Sequence, residues 1–222
     1  WEKRKEFVKT FPKPAEAFAI AEAFDKPGYI VMNEPSDNPG GGAPGDGTFL
    51  LRAMIERDLP GSIFVHLYDP EVAQLAIRSG VGSKISCLLG GKVDTLHGTP
   101  IELKDAEIMA VADGKMISNS PMMMGIVRDI GPTARLRTGN VEIIVASAQR
   151  QTMDDQPFVI CGTKAENYRY IGIKSNVHFK AYYKDHAALI FAVDTPGHRS
   201  GDPEKLYDVF DLAINNLVPF NP

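Results

Sequence analysis

The sequence contains only two cysteines among 222 residues and has no long apolar run. Each thiol sits in a short apolar stretch, Cys87 in KISCLLGG and Cys161 in PFVICG, and no Cys-x-x-Cys or Cys/His cluster offers a structural zinc site. Their expected state is buried and reduced, which points to a reducing compartment, most simply the cytoplasm. A membrane-spanning helix needs about 18 or more consecutive apolar residues, and none is present. The basic excess of a nucleic-acid binder is missing too: 24 Lys and Arg stand against 28 Asp and Glu, a formal net charge of −4. The opening WEKRKEFVKTF is charged and helix-like and lacks the apolar core of a signal peptide. It starts on Trp1 rather than Met, as a piece of a longer protein would.

What is present is an ordinary globular balance, 44% hydrophobic and 23% charged, enough to fill a sizeable core. Residues 1–24 read as helix interrupted by Pro12 and Pro14, and Gly28–Met32 as a strand. A Gly/Pro loop follows from Glu34 to Gly47, and Thr48 is placed to cap an amphipathic helix over Thr48–Asp58. Ser62–Leu67 reads as strand, Asp69-Pro70 as turn and Glu71–Ser79 as helix, which is the rhythm of a parallel sheet with right-handed crossovers. Between residues 84 and 148 the pattern changes to strand-like runs separated by GGK, DGK and TGN, signals of an antiparallel excursion packed as a subdomain. The alternation returns with a short helix at Asp154–Cys161, a strand at Arg169–Lys174, a helix at Val177–His186 and a strand at Leu189–Val193, and one more helix is expected near Pro203–Phe210. The expected fold class is therefore α/β: a mostly parallel sheet with crossover helices and an antiparallel β excursion in the middle of the chain.

Open parallel sheets bind ligands beyond the C-terminal ends of their strands. Those ends carry Glu34, Asp37 and Asn38, then Asp69, then Lys174, Ser175 and His178, then Asp194, Thr195 and His198. Many of these residue types also close turns and cap helices: Asp69 before Pro70 reads as a cap, as does Ser175 or Asn176. His178 fits an apolar helix face, His66 a structural place inside a strand, and His97 and His186 the surface. Gly40, Gly42 and Gly45 satisfy G-x-G-x-x-G between a strand and a helix. The loop begins too far from its strand for a dinucleotide turn, Pro44 removes an amide, and Asp37 and Asp46 put negative charge where phosphate would sit. Its small residues suit close backbone approach to a substrate chain or a neighbouring domain. Amides at the start of the Thr48 helix also suit a carboxylate.

The run Ser36-Asp37-Asn38-Pro39-Gly40-Gly41-Gly42-Ala43-Pro44-Gly45-Asp46-Gly47-Thr48 resembles the signature loop in the C-terminal domain of the microcystinase C family. Leu67-Tyr68-Asp69-Pro70, Lys174-Ser175-Asn176-Val177-His178-Phe179 and Val193-Asp194-Thr195-Pro196-Gly197 resemble the same family in the same order. Lys180 and Asp155-Gln156-Pro157 depart from the family pattern. The resemblance implies that residues 1–222 form a single C-terminal domain of a larger protein, with residues 1–24 as a junction helix and 84–148 as a β-rich insertion. It further implies a zinc-dependent peptidase or amidohydrolase whose zinc is held mainly by an absent N-terminal domain, with no metal ligand assigned in this chain. The implied partners are that domain and a peptide or amide substrate, with a homo-oligomer also open. In this reading Asp37 is the catalytic-site candidate, and Asn38, Gly41, Gly42, Ser175, His178, Asp194 and Thr195 are the substrate-binding candidates. Two other readings stand beside it: a binding module for a small anion or carboxylate at the Gly-rich loop, and a purely structural or dimerisation domain.

Overall fold

A computed structural model describes residues 10–197. In chain order the elements are α1 (Pro14–Ala23), β1 (Ile30–Asn33), α2 (Phe49–Arg57), β2 (Ser62–Tyr68), α3 (Pro70–Ser79), β3 (Lys84–Leu89), β4 (Ile101–Ala112), β5 (Lys115–Ile117), β6 (Val127–Asp129), β7 (Thr133–Thr138), β8 (Val141–Ala146), α4 (Gln156–Ile160), β9 (Tyr170–Ile173), α5 (Lys180–Tyr183) and β10 (Leu189–Ala192). The helix expected near Pro203–Phe210, the first nine residues of the junction helix, and His198 lie outside the described residues.

Eight strands form one sheet in the order β10-β1-β9-β2-β8-β7-β4-β3. The pairs from β10 to β8 are parallel and those from β8 to β3 antiparallel. The α/β class and the antiparallel middle are thus as the residues indicate. The separate subdomain is not: β8 pairs in parallel with β2 on one side and antiparallel with β7 on the other, so the excursion extends the same sheet. Of the three turn signals, TGN makes the tight β7–β8 hairpin. GGK opens a longer connection between β3 and β4, and DGK leads into β5, which pairs with β6 in a small separate ribbon.

Strand composition explains the layering. β1 is buried along its whole length and β2 along all but its last residue, which is the pattern of strands covered on both faces by helices. Ile30, Met32 and Phe64 face one layer with Phe18 of α1, Leu50, Leu51 and Met54 of α2, and Ala73 and Ala76 of α3. Val31, Ile63, Val65 and Ile171 face the other layer with Phe158, Phe179 and Tyr183. Successive side chains point to opposite faces, so these alternate residues supply both cores. Burying each of the Val, Ile, Leu, Met and Phe side chains fully contributes roughly 1.5–3 kcal/mol. Gly172 in β9 is required by this packing, because a Cβ there would lie 2.6 Å from the Phe64 ring and 2.9 Å from the Met54 sulfur. β4, by contrast, alternates buried and exposed positions over much of its length, as expected of a strand with one solvated face.

Several local expectations are corrected. Pro14 does not interrupt a helix but begins one, where its missing amide costs nothing. The last helix is four residues long and starts at Lys180, so neither Ser175 nor Asn176 caps it and His178 lies in the preceding turn. Asp69 is the cap it resembles, accepting from Val72 N at 3.1 Å. His97 is fully buried rather than on the surface, while His186 is exposed. Among the described residues no helix is long and apolar enough to cross a membrane.

Candidate functional site

The parallel strands bring the turns after β1, β9, β2 and β10 to one end of the sheet. At its centre is Lys174, directly after β9, with a side chain 1% exposed. Its ammonium lies 2.5 Å from Glu34 Oε2 and 2.8 Å from Asp37 Oδ2, both on the turn after β1, and 5.4 Å from the centre of the Phe64 ring. Burial alone would depress the Lys174 pKa, but the two carboxylates outweigh it and hold the pKa above the usual lysine value.

The acids in turn organise the backbone. Asp37 accepts the Gly45 amide at 2.8 Å and the Gly47 amide at 2.6 Å, one on each carboxylate oxygen, and so folds the Gly-rich loop over itself. A side chain at Gly47 would put its Cβ 2.7 Å from Asp37 Oδ2. Gly45 has φ +80°, where a residue with a Cβ is strained. Glu34 Oε1 accepts from Leu50 N at 3.3 Å, in the first turn of α2. The helix start thus does hold a carboxylate, and it is the chain's own. Thr48 stands at the N-cap position but does not cap through its hydroxyl, which donates to Thr99 O at 2.8 Å instead. Asp46 accepts the Lys92 and Val93 amides at 2.7 and 2.9 Å and ties the loop to the segment after β3.

His97 belongs to this centre although its sequence context gives little sign of it. Its Nε2 lies 3.8 Å from Asp37 Oδ1, and its Nδ1 lies 2.9 Å from the Asp94 carboxylate, an orientation-fixing pair. Burial would raise the Asp94 pKa, but the His97 ring and the amides of Leu96 and His97 bring it below the usual aspartate value. The Asp-x-x-His spacing in a Gly-flanked loop was the available signal.

The candidates fall into two groups. Asp37, Asn38, Ser175 and Thr195 are buried. Asn38 Oδ1 accepts from Gly40 N at 3.0 Å, and Thr195 Oγ1 lies 2.5 Å from Ser36 Oγ, joining the turn after β10 to the loop. Half-buried Asp194 donates its backbone amide to Pro12 O at 2.8 Å. Gly41, Gly42 and His178 are exposed. Gln151, which sequence reasoning missed, connects the groups: its amide lies 2.9 Å from His178 Nδ1 and 3.4 Å from Ser175 Oγ, and it packs where a Gly40 side chain would be. The amides of Gly40, Gly41, Gly42, Ala43, Gly45 and Gly47 all donate within the chain, so the loop's donors are already engaged. Among the described residues no three His, Cys, Asp or Glu side chains are grouped to hold a metal ion.

The family model described as MlrC C-terminus matches residues 32–207. Microcystinase C from a Sphingomonas species is 30% identical over 156 residues, which span 70% of this chain and 30% of that protein. The crystal structure of a candidate metallopeptidase from Mesorhizobium sp. BNC1 superposes with a TM-score of 0.82 at 24% identity, over 92% of this chain and 40% of that one. This second likeness concerns the fold. The chain therefore spans less than half the length of each of these two proteins.

Proposed function

The chain belongs to the MlrC C-terminus family, and on that premise we propose that it is the substrate-contacting part of a metal-dependent peptidase or amidohydrolase. It forms one wall of a cleft, and an N-terminal domain forms the other wall and holds the metal, for which zinc is the expected ion. The observation that carries this reading is the construction of the strand-end surface: exposed backbone at Gly40–Gly42 beside Gln151 and His178, resting on the buried Lys174 centre. Among the described residues no three His, Cys, Asp or Glu side chains are grouped to hold a metal, and Asp37 is engaged by two amides and the lysine.

In this proposal Asp37 acts through the loop it folds, as a positioning residue, and Asn38 fixes the turn that sets Gly41 and Gly42. The glycines let a peptide backbone approach closely, His178 with Gln151 contacts it by hydrogen bonds, and Ser175 steadies Gln151. Asp194 and Thr195 hold the far edge of the surface against Ser36 and Pro12. The relatives' longer chains and the candidate metallopeptidase among them support the division of labour.

The test is hydrolysis of a peptide with added zinc, by this chain alone and by the protein with its N-terminal part restored. The expected result is activity in the longer protein only, lowered up to about 100-fold by Asp37→Asn. Robust zinc-dependent hydrolysis by the 222 residues alone would overturn the reading.

A further inference from the structure

Next to the Gly-rich loop, and bordered by Pro39 and Gly40, lies a cavity of about 490 Å³. Its lining is mixed in chemistry. Arg128, Arg150 and Gln151 give it polar lining, and Met123, Ile126 and Val127 give it apolar lining, with Val127 and Arg128 adjacent on β6 of the ribbon. The apolar lining faces solvent: Val127 is 69% exposed and Ile126 50%, and neighbouring Met124 is 64% exposed. Adjacent exposed apolar side chains on a short ribbon mark a recognition surface more than a core, and methionine adapts its shape to what it meets.

The polar lining carries an unusual charge. Arg128 is 8% exposed and donates from Nη2 to Gln151 O at 2.7 Å, while its buried Nη1 has no hydrogen-bond partner among the described residues. Among the described residues no carboxylate lies within ion-pair distance of it. Asp154 attracts it from farther away, but the Asp154 oxygens already accept from Ser118 Oγ, Ser120 N and Gln156 N. Arg150 also lines the cavity and is exposed, and among the described residues its side chain bonds the carbonyl of Gln149 alone. Asp129 also lines the cavity and accepts from Gly131 N at 2.7 Å, so two arginines stand against one aspartate. A nearly buried guanidinium without a counter-ion, in a cavity with a second arginine, is matched by a carboxylate, which guanidinium groups bind through paired hydrogen bonds.

We propose that this cavity is a subsite for the free carboxylate end of a peptide, with Arg128 and Arg150 taking the carboxylate and Met123, Ile126 and Val127 taking an adjacent apolar side chain. The proposal rests on the peptidase reading for the peptide nature of the ligand. The cavity adjoins the Gly40 backbone, so an occupant would continue along the loop toward His178.

The experiment is calorimetric titration of the whole chain with an N-acetylated tetrapeptide ending in leucine, as the free acid and as the carboxamide. The acid is expected to bind at least about tenfold more tightly. Arg150→Gln, at an exposed position, is expected to remove most of that preference, and Arg128→Gln, checked by its melting curve, to remove the rest. Equal affinity for acid and amide, no binding of either, or a preference that survives both changes would overturn the proposal. Displacement of the peptide by inorganic phosphate at the same concentration as by free acid would overturn it in favour of a simple anion site. The peptidase reading fails separately. Acid preference without hydrolysis in the longer protein keeps the subsite and removes the peptidase, whereas hydrolysis without acid preference does the reverse.

Discussion

Lys174, directly after β9 of the main sheet, and Arg128, on β6 of the small ribbon, are both buried cations, yet their surroundings are opposite. Lys174 has two carboxylates within 2.8 Å, which themselves hold the amides of Leu50, Gly45 and Gly47. Among the described residues Arg128 has one carbonyl and a buried Nη1 with no partner. Removing a charge from water is costly, and only a closely matched set of partners offsets it. The Lys174 centre is closed: its parts satisfy one another and their effect is to shape a loop. The Arg128 guanidinium borders the cavity without a counter-ion among the described residues, and in the proposal above a ligand carboxylate supplies that charge. The most conspicuous charged cluster at this end of the sheet is thus one whose charges are already matched within the chain.

The largest expected effect tests this contrast directly. Lys174→Met leaves Glu34 and Asp37 buried and facing each other, so it is expected to cost about 3–5 kcal/mol of stability, the usual range for breaking a buried pair on one side. Arg128→Met removes one hydrogen bond but also the burden of an uncompensated charge, and is expected to cost about 1 kcal/mol or less. Urea denaturation of both variants measures the difference. Similar losses would mean that Arg128 is as fully compensated as Lys174, and the contrast would collapse.

The sequence allowed the alternation to be read because β1, β2, β9 and β10 are short apolar runs with turn residues after them. It hid the double role of β8, since a run such as VEIIVA looks the same whether its neighbours are parallel or antiparallel. Lys174 was visible as a strand-end residue, but its burial depends on Glu34, 140 positions away. His97 was misread for a related reason. A histidine between Leu96 and Gly98 has no apolar periodicity, and only the folding of its loop against Asp37 and Thr48 encloses it. Gln151 carried no signal at all, because its position under Gly40 arises from packing between distant segments.

A second expected effect sharpens the picture on the Arg128 side. His66 is 3% exposed, and among the described residues neither ring nitrogen has a hydrogen-bond partner. Burial, with Arg128 adding to it, lowers its pKa from 6.5 to about 4, while the Arg150 backbone opposes the shift without reaching hydrogen-bond geometry. A depressed histidine pKa means that the folded chain binds fewer protons than the unfolded chain between these values. Stability is therefore fully present above pH 6.5 and is lost as pH falls toward 4, by about 3 kcal/mol in all. Denaturation midpoints taken across that window should show the slope in the natural chain, a shallower one in Arg128→Met and almost none of this contribution in His66→Leu. A slope unchanged by Arg128→Met would separate His66 from the arginine and leave burial as the whole cause.

The smallest expected effect asks whether the closed centre extends to its edge. Thr195 and Ser36 share a buried hydrogen bond of 2.5 Å that links the turn after β10 to the loop after β1. Thr195→Val keeps the shape and leaves the Ser36 hydroxyl without that partner, which is expected to cost about 1–2 kcal/mol in a melting experiment. If Thr195 only braces the loop, affinity of the chain for the leucine-ending peptide should change little, because the cavity walls lie on other segments. A loss of peptide affinity as large as that from Arg150→Gln, with the melting temperature unchanged, would instead place Thr195 on the substrate-facing side and move the boundary between the two regions.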